Sequence, residues 1–419
     1  MPDDTRIAPG PWFRLTALAA VAATAAVSVT GDWGQLPHYG AALVALSLLL
    51  SLFLTVLFGY RDRRVLLAGT GIALGVYLVQ MLVGGIVSWT DDAGWARGLH
   101  IGLGAISLAA VAVATAVTIP RHLALGSATE AARSGWRDYL TLTKPRIMVL
   151  LLLTALGGMF VGEKGVPGGW LILATMGGLA LACGGASALN HMLDRDIDVH
   201  MKRTDKRPVA TGRVAPERAL EFGLALSAMS FVVLACFTNV LTAALAVFGN
   251  LFYVLVYTRW LKRSTHQNIV IGGAAGAIPP VVGWAAVTGN LTLPALFLFL
   301  IVFIWTPPHF WALALLIRRE YEAAKVPMLP VVKGDRETVK QILLYTLVMI
   351  AVTILPFATG DLSWIYLGAA VGLGAIFLAY AVALLPTPTP KKSRRLFTYS
   401  LAYLALLFVA MAIDPIILA

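Results

Sequence analysis

The sequence predicts an all-α polytopic membrane protein of thirteen spans, a block of four followed by a block of nine. Three observations predict it. Of the 419 residues, 59% are hydrophobic and only 13% are charged, whereas soluble domains run roughly 45–50% apolar and about 25% charged. The mean hydropathy is +0.81, and apolar runs long enough to cross a bilayer, roughly 20 residues each, recur along the chain. The cations sit almost entirely between those runs on alternate sides, as a membrane topology demands.

The first block reads as spans 12–30, 39–58, 65–89 and 99–120. A polar stretch, 121–146, separates it from nine more: 147–164, 168–189, 216–236, 239–257, 268–288, 292–312, 340–359, 364–385 and 396–413. The domains are then a four-helix transmembrane bundle over 1–125, a linker over 126–136 with Ser127, Ser134 and Gly135, and a nine-helix bundle over 137–419. With the N-terminus in the cytoplasm, 30 of the 32 Lys and Arg residues fall in inner loops or inner helix ends, Arg97 and Lys164 being the exceptions. An odd number of spans puts the C-terminus outside. The protein is expected in the cytoplasmic membrane as a multi-pass protein, with the lipid bilayer as its solvent.

The net charge of +11 is thus explained by topology rather than by nucleic acid, for which no binding motif is present. Cys183 and Cys236 are too few and too isolated for a disulfide framework or a zinc site. Asp3, Asp4 and Asp32 around the first span argue for an anchor rather than a cleaved signal.

Residues 190–213, NHMLDRDIDVHMKRTDKRPVATGR, hold the densest charge in the chain. They continue the sixth span beyond the membrane on the cytoplasmic side. Asn190, Asp194 and Asp198 are spaced four apart, so they are near neighbours on one helical face. Two such steps drift by only about 80°. One carboxamide and two carboxylates can therefore converge, and such oxygens suit Mg²⁺, which takes one or two carboxylates plus substrate phosphates. Asp196 points away. Lys202, Arg203, Lys206 and Arg207 follow, and such cations pair with phosphate oxygens. Carboxylates beside cations describe a diphosphate site at the inner membrane surface. Positive-inside loop charge explains the cations equally simply, but not acids on one face at the end of a span.

Here the sequence resembles a known family. The string N-x-x-x-D-R-D-I-D-x-x-M-x-R-T-x-x-R-P is similar to the first aspartate-rich motif of the UbiA superfamily of intramembrane prenyltransferases, in its protohaem IX farnesyltransferase (haem O synthase) branch. Thr143-Lys144-Pro145-Arg146 is similar to the start of that family's first helix. Residues 257–284, YTRWLKRSTHQNIVIGGAAGAIPPVVGW, resemble its central segment, and 305–334, from WTPPHFWALAL to VPMLPVVKG, its second polar loop. The resemblance covers about 137–415 and implies a nine-helix UbiA-type bundle. It implies farnesyl diphosphate and haem B as substrates, Mg²⁺ as cofactor, and haem O for terminal oxidases as product. Asn190, Asp194, Asp198, Lys202 and Arg203 would be catalytic. Arg207, Lys144, Arg146, Tyr257, Lys262, Arg263, Glu320, Tyr321 and His309 would bind substrate. A quinone precursor or other aromatic acceptor is the alternative within the same superfamily.

Three of these assignments have competing readings. The superfamily's second aspartate motif is replaced here by Arg318-Arg319-Glu320-Tyr321-Glu322, so Glu320 either binds a second Mg²⁺ or pairs with Arg318 or Arg319. Lys262 and Arg263, near Tyr253, Tyr257 and Asn268, hold diphosphate or are loop charge. His309 follows Pro307-Pro308, a helix-breaking pair, and contacts haem or is a satisfied buried histidine.

In the first block, His38 opens the second span and His100 the fourth, so both lie at the same outer depth. Two histidines on facing helices can ligate one haem iron. This block resembles one half of haem A synthase, which implies a bound haem b and haem A synthase as a partner. The glutamate that the catalytic half of that family places before its second-helix histidine is missing; Gln35 precedes His38.

Overall fold

The protein's structure, a computed structural model, describes residues 9–30, 35–89 and 134–418, together with positions 100, 103, 104, 106, 107, 110 and 111. Every regular element among the described residues is helical. The N-terminal part contains α1 (Pro11–Thr30), α2 (Gln35–Gly59) and α3 (Arg64–Trp89). A short surface helix, α4 (Trp136–Leu142), leads into α5 (Pro145–Glu163) and α6 (Gly169–Leu193). After the four-residue α7 (Arg195–Asp198) come α8 (Pro216–Phe237) and α9 (Val240–Leu251). A π-helical segment, Phe252–Leu261, and the turn Lys262–Ser264 prolong α9. Then follow α10 (Asn268–Thr288), α11 (Leu293–Leu316), the short α12 (Arg318–Ala323) and α13 (Leu329–Val332), and finally α14 (Gly334–Ala358), α15 (Trp364–Leu384) and α16 (Pro390–Leu418).

Eleven helices among the described residues are long and apolar enough to cross a membrane. Two are α2 and α3, and the other nine run from α5 to α16, matching the expected nine-helix block. Of the remaining two expected spans, the first is present as the 20-residue α1, which is not one of the eleven. The span 99–120 and the linker lie largely outside the described residues. Phe58, Leu82, Trp260 and Ile417 are among many apolar side chains on the outer surface, as a lipid-facing bundle requires.

Small residues bring helices close where lipid supplies no hydrophobic drive for association. At the α5–α10 crossing, a Cβ on Gly283 would lie 1.9 Å from the Ala155 carbonyl oxygen, and one on Gly158 would lie 2.2 Å from that of Pro280. Around α10, α11, α14, α15 and α16 the core is aromatic, with Trp305, Trp311, Tyr366, Phe377, Tyr403 and Phe408 buried together.

Several expected boundaries move. The Pro307-Pro308 pair does not break α11, which is continuous from Leu293 to Leu316. Prolines are tolerated in a spanning helix that packs against neighbouring helices, and both prolines here are buried in the bundle. The helix expected to stop at 257 continues to Ser264 through the π segment. The sixth span does not run on as one helix through its acids: α6 ends at Leu193, and Asp194 (φ −91°, ψ 4°) is the hinge into α7.

The N-terminal helices pack directly on α8. Ala228 of α8 belongs to their apolar core. At one end of that contact, Glu221 accepts from the Gly10 amide at 2.8 Å and from the Tyr60 hydroxyl, and pairs with Arg218 at 3.2 Å. Beside it, the rings of Trp12, Tyr139 and Phe222 pack together, tilted or edge-on to one another.

Alternation of the spans places the α6–α7 hinge, the turn 262–267, the segment 317–333 and the connection 385–389 at one end of the bundle. The polar site is assembled there.

Candidate functional site

Asn190 is the buried centre of the site. Its Oδ1 accepts from Lys144 Nζ at 2.8 Å, and its Nδ2 donates to Asp194 Oδ2 at 2.7 Å and to Thr258 Oγ1 at 3.1 Å. The αL backbone of Lys144, φ 51°, lets this residue cap α5. Loss of solvent, with Arg207 and Lys262 nearby, holds the Lys144 ammonium well below the usual lysine range, against the pull of Asp194 and Asp198.

Asp194 and Asp198 are each 1% exposed. The Asp198 amide donates to the Asp194 carbonyl at 2.8 Å, so the hinge keeps the four-residue spacing on one face. Each carboxylate has its own cation. Lys262 Nζ donates to Asp194 Oδ2 at 2.5 Å, and Arg207 donates one nitrogen to both oxygens of Asp198 at 2.8 Å. The other oxygen of Asp194, Oδ1, is buried and makes no hydrogen bond; Arg263 lies 3.8 Å from it. Asp196 points outward, as expected, and takes a two-nitrogen grip from Arg263 at 2.6 and 2.7 Å. That hydrogen bonding lowers its carboxyl to about 2.

The π segment supplies the adjoining wall. Such wide turns are rare and often mark functional sites. Tyr253 and Tyr257 stack at 5.6 Å, Lys262 follows, and Thr258 reaches Asn190. Tyr321 is buried beside Tyr257 and Ile197, and burial pushes its hydroxyl up, with Arg203 acting the other way. Glu320 accepts from the Arg203 backbone amide at 3.3 Å; Arg318 pairs with Asp335 instead. A cavity of about 370 Å³ lies beside the site, lined in part by Asp196, His200, Arg263 and Lys325.

The structure therefore brings together Lys144, Asn190, Asp194, Asp198, Arg207, Tyr257, Lys262 and Tyr321, with Arg263, Arg203 and Glu320 at the rim. Lys202 and Arg146 are exposed and make no side-chain hydrogen bond or ion pair with these groups. His309 sits apart, clamped between Trp305 at 4.4 Å and Phe397 at 4.9 Å, with Nδ1 at 2.6 Å from Ser400 Oγ. Thr258 was not legible as a site residue, because its reach to Asn190 depends on the π register. His191 and Asn268 are buried polar side chains whose ring or amide atoms make no hydrogen bond; only their place beside charged loops hinted at them. The His38 side chain lies outside the described residues. His100 donates Nδ1–H to the Gln80 carbonyl at 2.9 Å and rests on Gly84.

Among the described residues no three His, Cys, Asp or Glu side chains gather as a complete metal cage. The donor set still fits Mg²⁺, which commonly takes only one or two protein carboxylates and completes its shell with phosphate and water. The orphaned Asp194 Oδ1 is an oxygen of that kind.

A nine-span helical bundle with paired carboxylates and cations at one polar end defines a membrane prenyltransferase. The chain belongs to the UbiA prenyltransferase family, which matches residues 151–409. It is 44% identical over 416 residues to a "Protoheme IX farnesyltransferase" of Roseiflexus sp. (strain RS-1), a match spanning 94% of this chain and 78% of the relative. To the enzyme of that name from Gloeobacter violaceus it is 55% identical over 282 residues, 67% of this chain and 92% of the relative. The first match includes N-terminal helices. In fold it resembles a structure of digeranylgeranylglyceryl phosphate synthase (TM-score 0.57, 17% identity, 67% of this chain and 98% of that one). It also resembles a UbiA homologue from Aeropyrum pernix K1 (TM-score 0.52, 17% identity, 64% and 98%).

Proposed function

We propose that this enzyme transfers the farnesyl group of farnesyl diphosphate to a vinyl group of protohaem IX, giving haem O. The observation that carries the reaction class is the pair Asp194 and Asp198, buried, four residues apart and each held by one cation at the polar end of an apolar bundle. The acceptor follows from the relatives' identity over nearly the whole chain.

The C1–O bond of farnesyl diphosphate breaks and the diphosphate leaves with the electron pair. The terminal vinyl carbon then bonds to C1. Water adds to the carbon next to the pyrrole, and its proton is lost to solvent. Asp194 and Asp198, with Asn190 beside them, would hold Mg²⁺, which when bound would supply charge stabilisation for the leaving group. Lys262 and Arg207 supply further positive charge, fixed in place before reaction. Asn190 and Thr258 orient Asp194. The rings of Tyr253, Tyr257 and Tyr321 exclude water from the allylic cation until the bond has formed. No nucleophilic side chain is required.

Membranes carrying the protein, incubated with haem B, farnesyl diphosphate and Mg²⁺, should yield a hydroxyethylfarnesyl haem by mass spectrometry. Absence of that product, with prenylation of a quinone precursor instead, would reassign the acceptor. The Lys/Arg distribution supports a cytoplasmic diphosphate site, with the N-terminus on that side.

For the N-terminal bundle we infer one haem b held by His38 and His100. Donation of His100 Nδ1–H to a backbone carbonyl supports this by fixing the tautomer and orientation of the ring, as such bonds to ligating histidines do. A low-spin haem spectrum lost in His100→Ala supports it; an unchanged spectrum refutes it. Haem A synthase as a neighbour of this bundle is tested by co-purification from native membranes.

A further inference from the structure

The polar end of the bundle carries a second cationic feature that the reaction does not use. A groove of about 780 Å³ lies between α15 and the start of α16, lined by Tyr380, Lys391, Arg394, Arg395, Thr398 and Tyr399 with Pro390 and Ala402. From Leu362 to Ile413 the sequence has no Asp or Glu, yet it holds Lys391, Lys392, Arg394 and Arg395. None of these four cations pairs with an acid among the described residues. Lys391, Arg394, Arg395, Thr398 and Ala402 are all exposed, so the groove opens on the outer surface of the bundle.

Its floor is amphipathic. Tyr380 and Tyr399 pack with ring centroids 5.2 Å apart, and Tyr399 is fixed by donating its hydroxyl to the Leu373 carbonyl at 2.8 Å. The groove shares no residue with the Asp194–Asp198 site. It also faces away from the His309 clamp, which uses Phe397 and Ser400 on another side of α16. Cations at the connection between two spans sit at headgroup depth, with apolar rings and Ala402 one to three turns further into the bilayer.

We propose that this groove is a binding site for an anionic phospholipid of the adjacent leaflet. Its phosphodiester lies on Lys391, Arg394 and Arg395, and an acyl chain follows Tyr380 and Ala402. Charge complementarity selects the occupant. An uninterrupted cationic edge above an aromatic floor matches one phosphate above one chain, and a zwitterionic lipid gains much less from it. Each Lys or Arg near an anionic headgroup is worth roughly a factor of five in binding.

The test uses the purified full-length protein, stripped of lipid and titrated with phosphatidylglycerol or phosphatidylcholine of identical chains, read by native mass spectrometry. The wild type should retain phosphatidylglycerol at least about tenfold better. Lys391→Gln/Arg394→Gln/Arg395→Gln should fall to the phosphatidylcholine level, while Lys333→Gln/Arg336→Gln, on the same side of the membrane, should not. Because lost loop charge could disturb insertion, Ala402→Trp provides a second arm: it fills the groove without changing charge and should cut retention similarly. Equal retention of the two lipids by the wild type overturns the proposal, as does undiminished selectivity in the triple variant or undiminished phosphatidylglycerol retention in Ala402→Trp. Stoichiometric displacement of phosphatidylglycerol by haem B, lost in the same variants, would reassign the groove to the haem propionates.

Discussion

Lys262→Met tests whether the buried carboxylates depend on their own cations. The Lys262 Nζ to Asp194 Oδ2 distance is 2.5 Å, with the two side chains 14% and 1% exposed. At an effective dielectric of 20 the attraction is about 7 kcal/mol, most of it offset by the cost of taking both charges out of water. Removing one partner leaves that cost in place for the other. Breaking a buried pair on one side typically loses about 3–5 kcal/mol. Asp194 would keep only the Asn190 amide, with Arg263 at 3.8 Å. The expected drop in melting temperature in detergent is about 5–15 °C, scaled from smaller domains. Turnover should also fall by two orders of magnitude or more, on the scale of losing one preorganised charge. The double variant Asp194→Leu/Lys262→Met separates the two effects. It should recover most of the stability, because neither charge remains buried alone, while staying inactive. If Lys262→Met melts within 1 °C of wild type, or the double variant is less stable than both singles, the pairing argument fails.

Glu221→Ala should loosen the N-terminal helices from α8, because Arg218, the Gly10 amide and the Tyr60 hydroxyl lose one shared acceptor. Faster tryptic cutting at Arg61–Arg64 with prenyl transfer retained is the expected result, and unchanged cutting would contradict it. Burial, reinforced by Glu221, raises the Tyr60 hydroxyl above its ordinary value. A raised folded pKa contributes stability that is intact below the unfolded value of about 10 and is lost as pH rises through the folded one. The melting temperature should therefore fall more steeply above pH ~10 in wild type than in Tyr60→Phe; parallel curves would show that the phenol is not linked to docking. Gly283→Ala places a methyl 1.9 Å from the Ala155 carbonyl and should force α5 from α10, costing roughly 1–3 kcal/mol or more. A variant as stable as wild type would mean that the crossing is looser than described.

The fold was legible because composition and cation placement act on every span at once. Among the described residues eleven helices are long and apolar enough to cross a membrane, and the nine of the larger block fall where hydropathy puts them. The site was legible to the extent that it is local. Asn190, Asp194 and Asp198 lie on one face because their spacing requires it, and α7 preserves that spacing even though Asp194 hinges the chain. What stayed hidden depends on register between distant segments. The sequence offers Arg207, Lys262 and Arg263 alike as inner-loop cations open to phosphate. Only the fold shows that the first holds Asp198, the second Asp194 and the third the outward Asp196.

The π segment explains that division. A regular α-helix from Val240 onward presents Tyr253 and Tyr257 one turn apart and rotates Thr258 and Lys262 by α-helical steps. Bonds from i to i+5 widen the turn and change that rotation over Phe252–Leu261, and both Thr258 and Lys262 then reach the Asn190–Asp194 pair. Nothing in the composition of FYVLVYTRWL distinguishes this winding from an ordinary spanning helix. The reason for it lies in what it meets. Asn190 Nδ2 has two donor hydrogens and gives one of them to Asp194 Oδ2, and Asp194 is too buried to be left without a cation. The Thr258 hydroxyl and the Lys262 ammonium meet those two demands. The local backbone thus adopts a rare helix that satisfies buried polar groups at the α6–α7 junction, some 70 residues earlier in the chain.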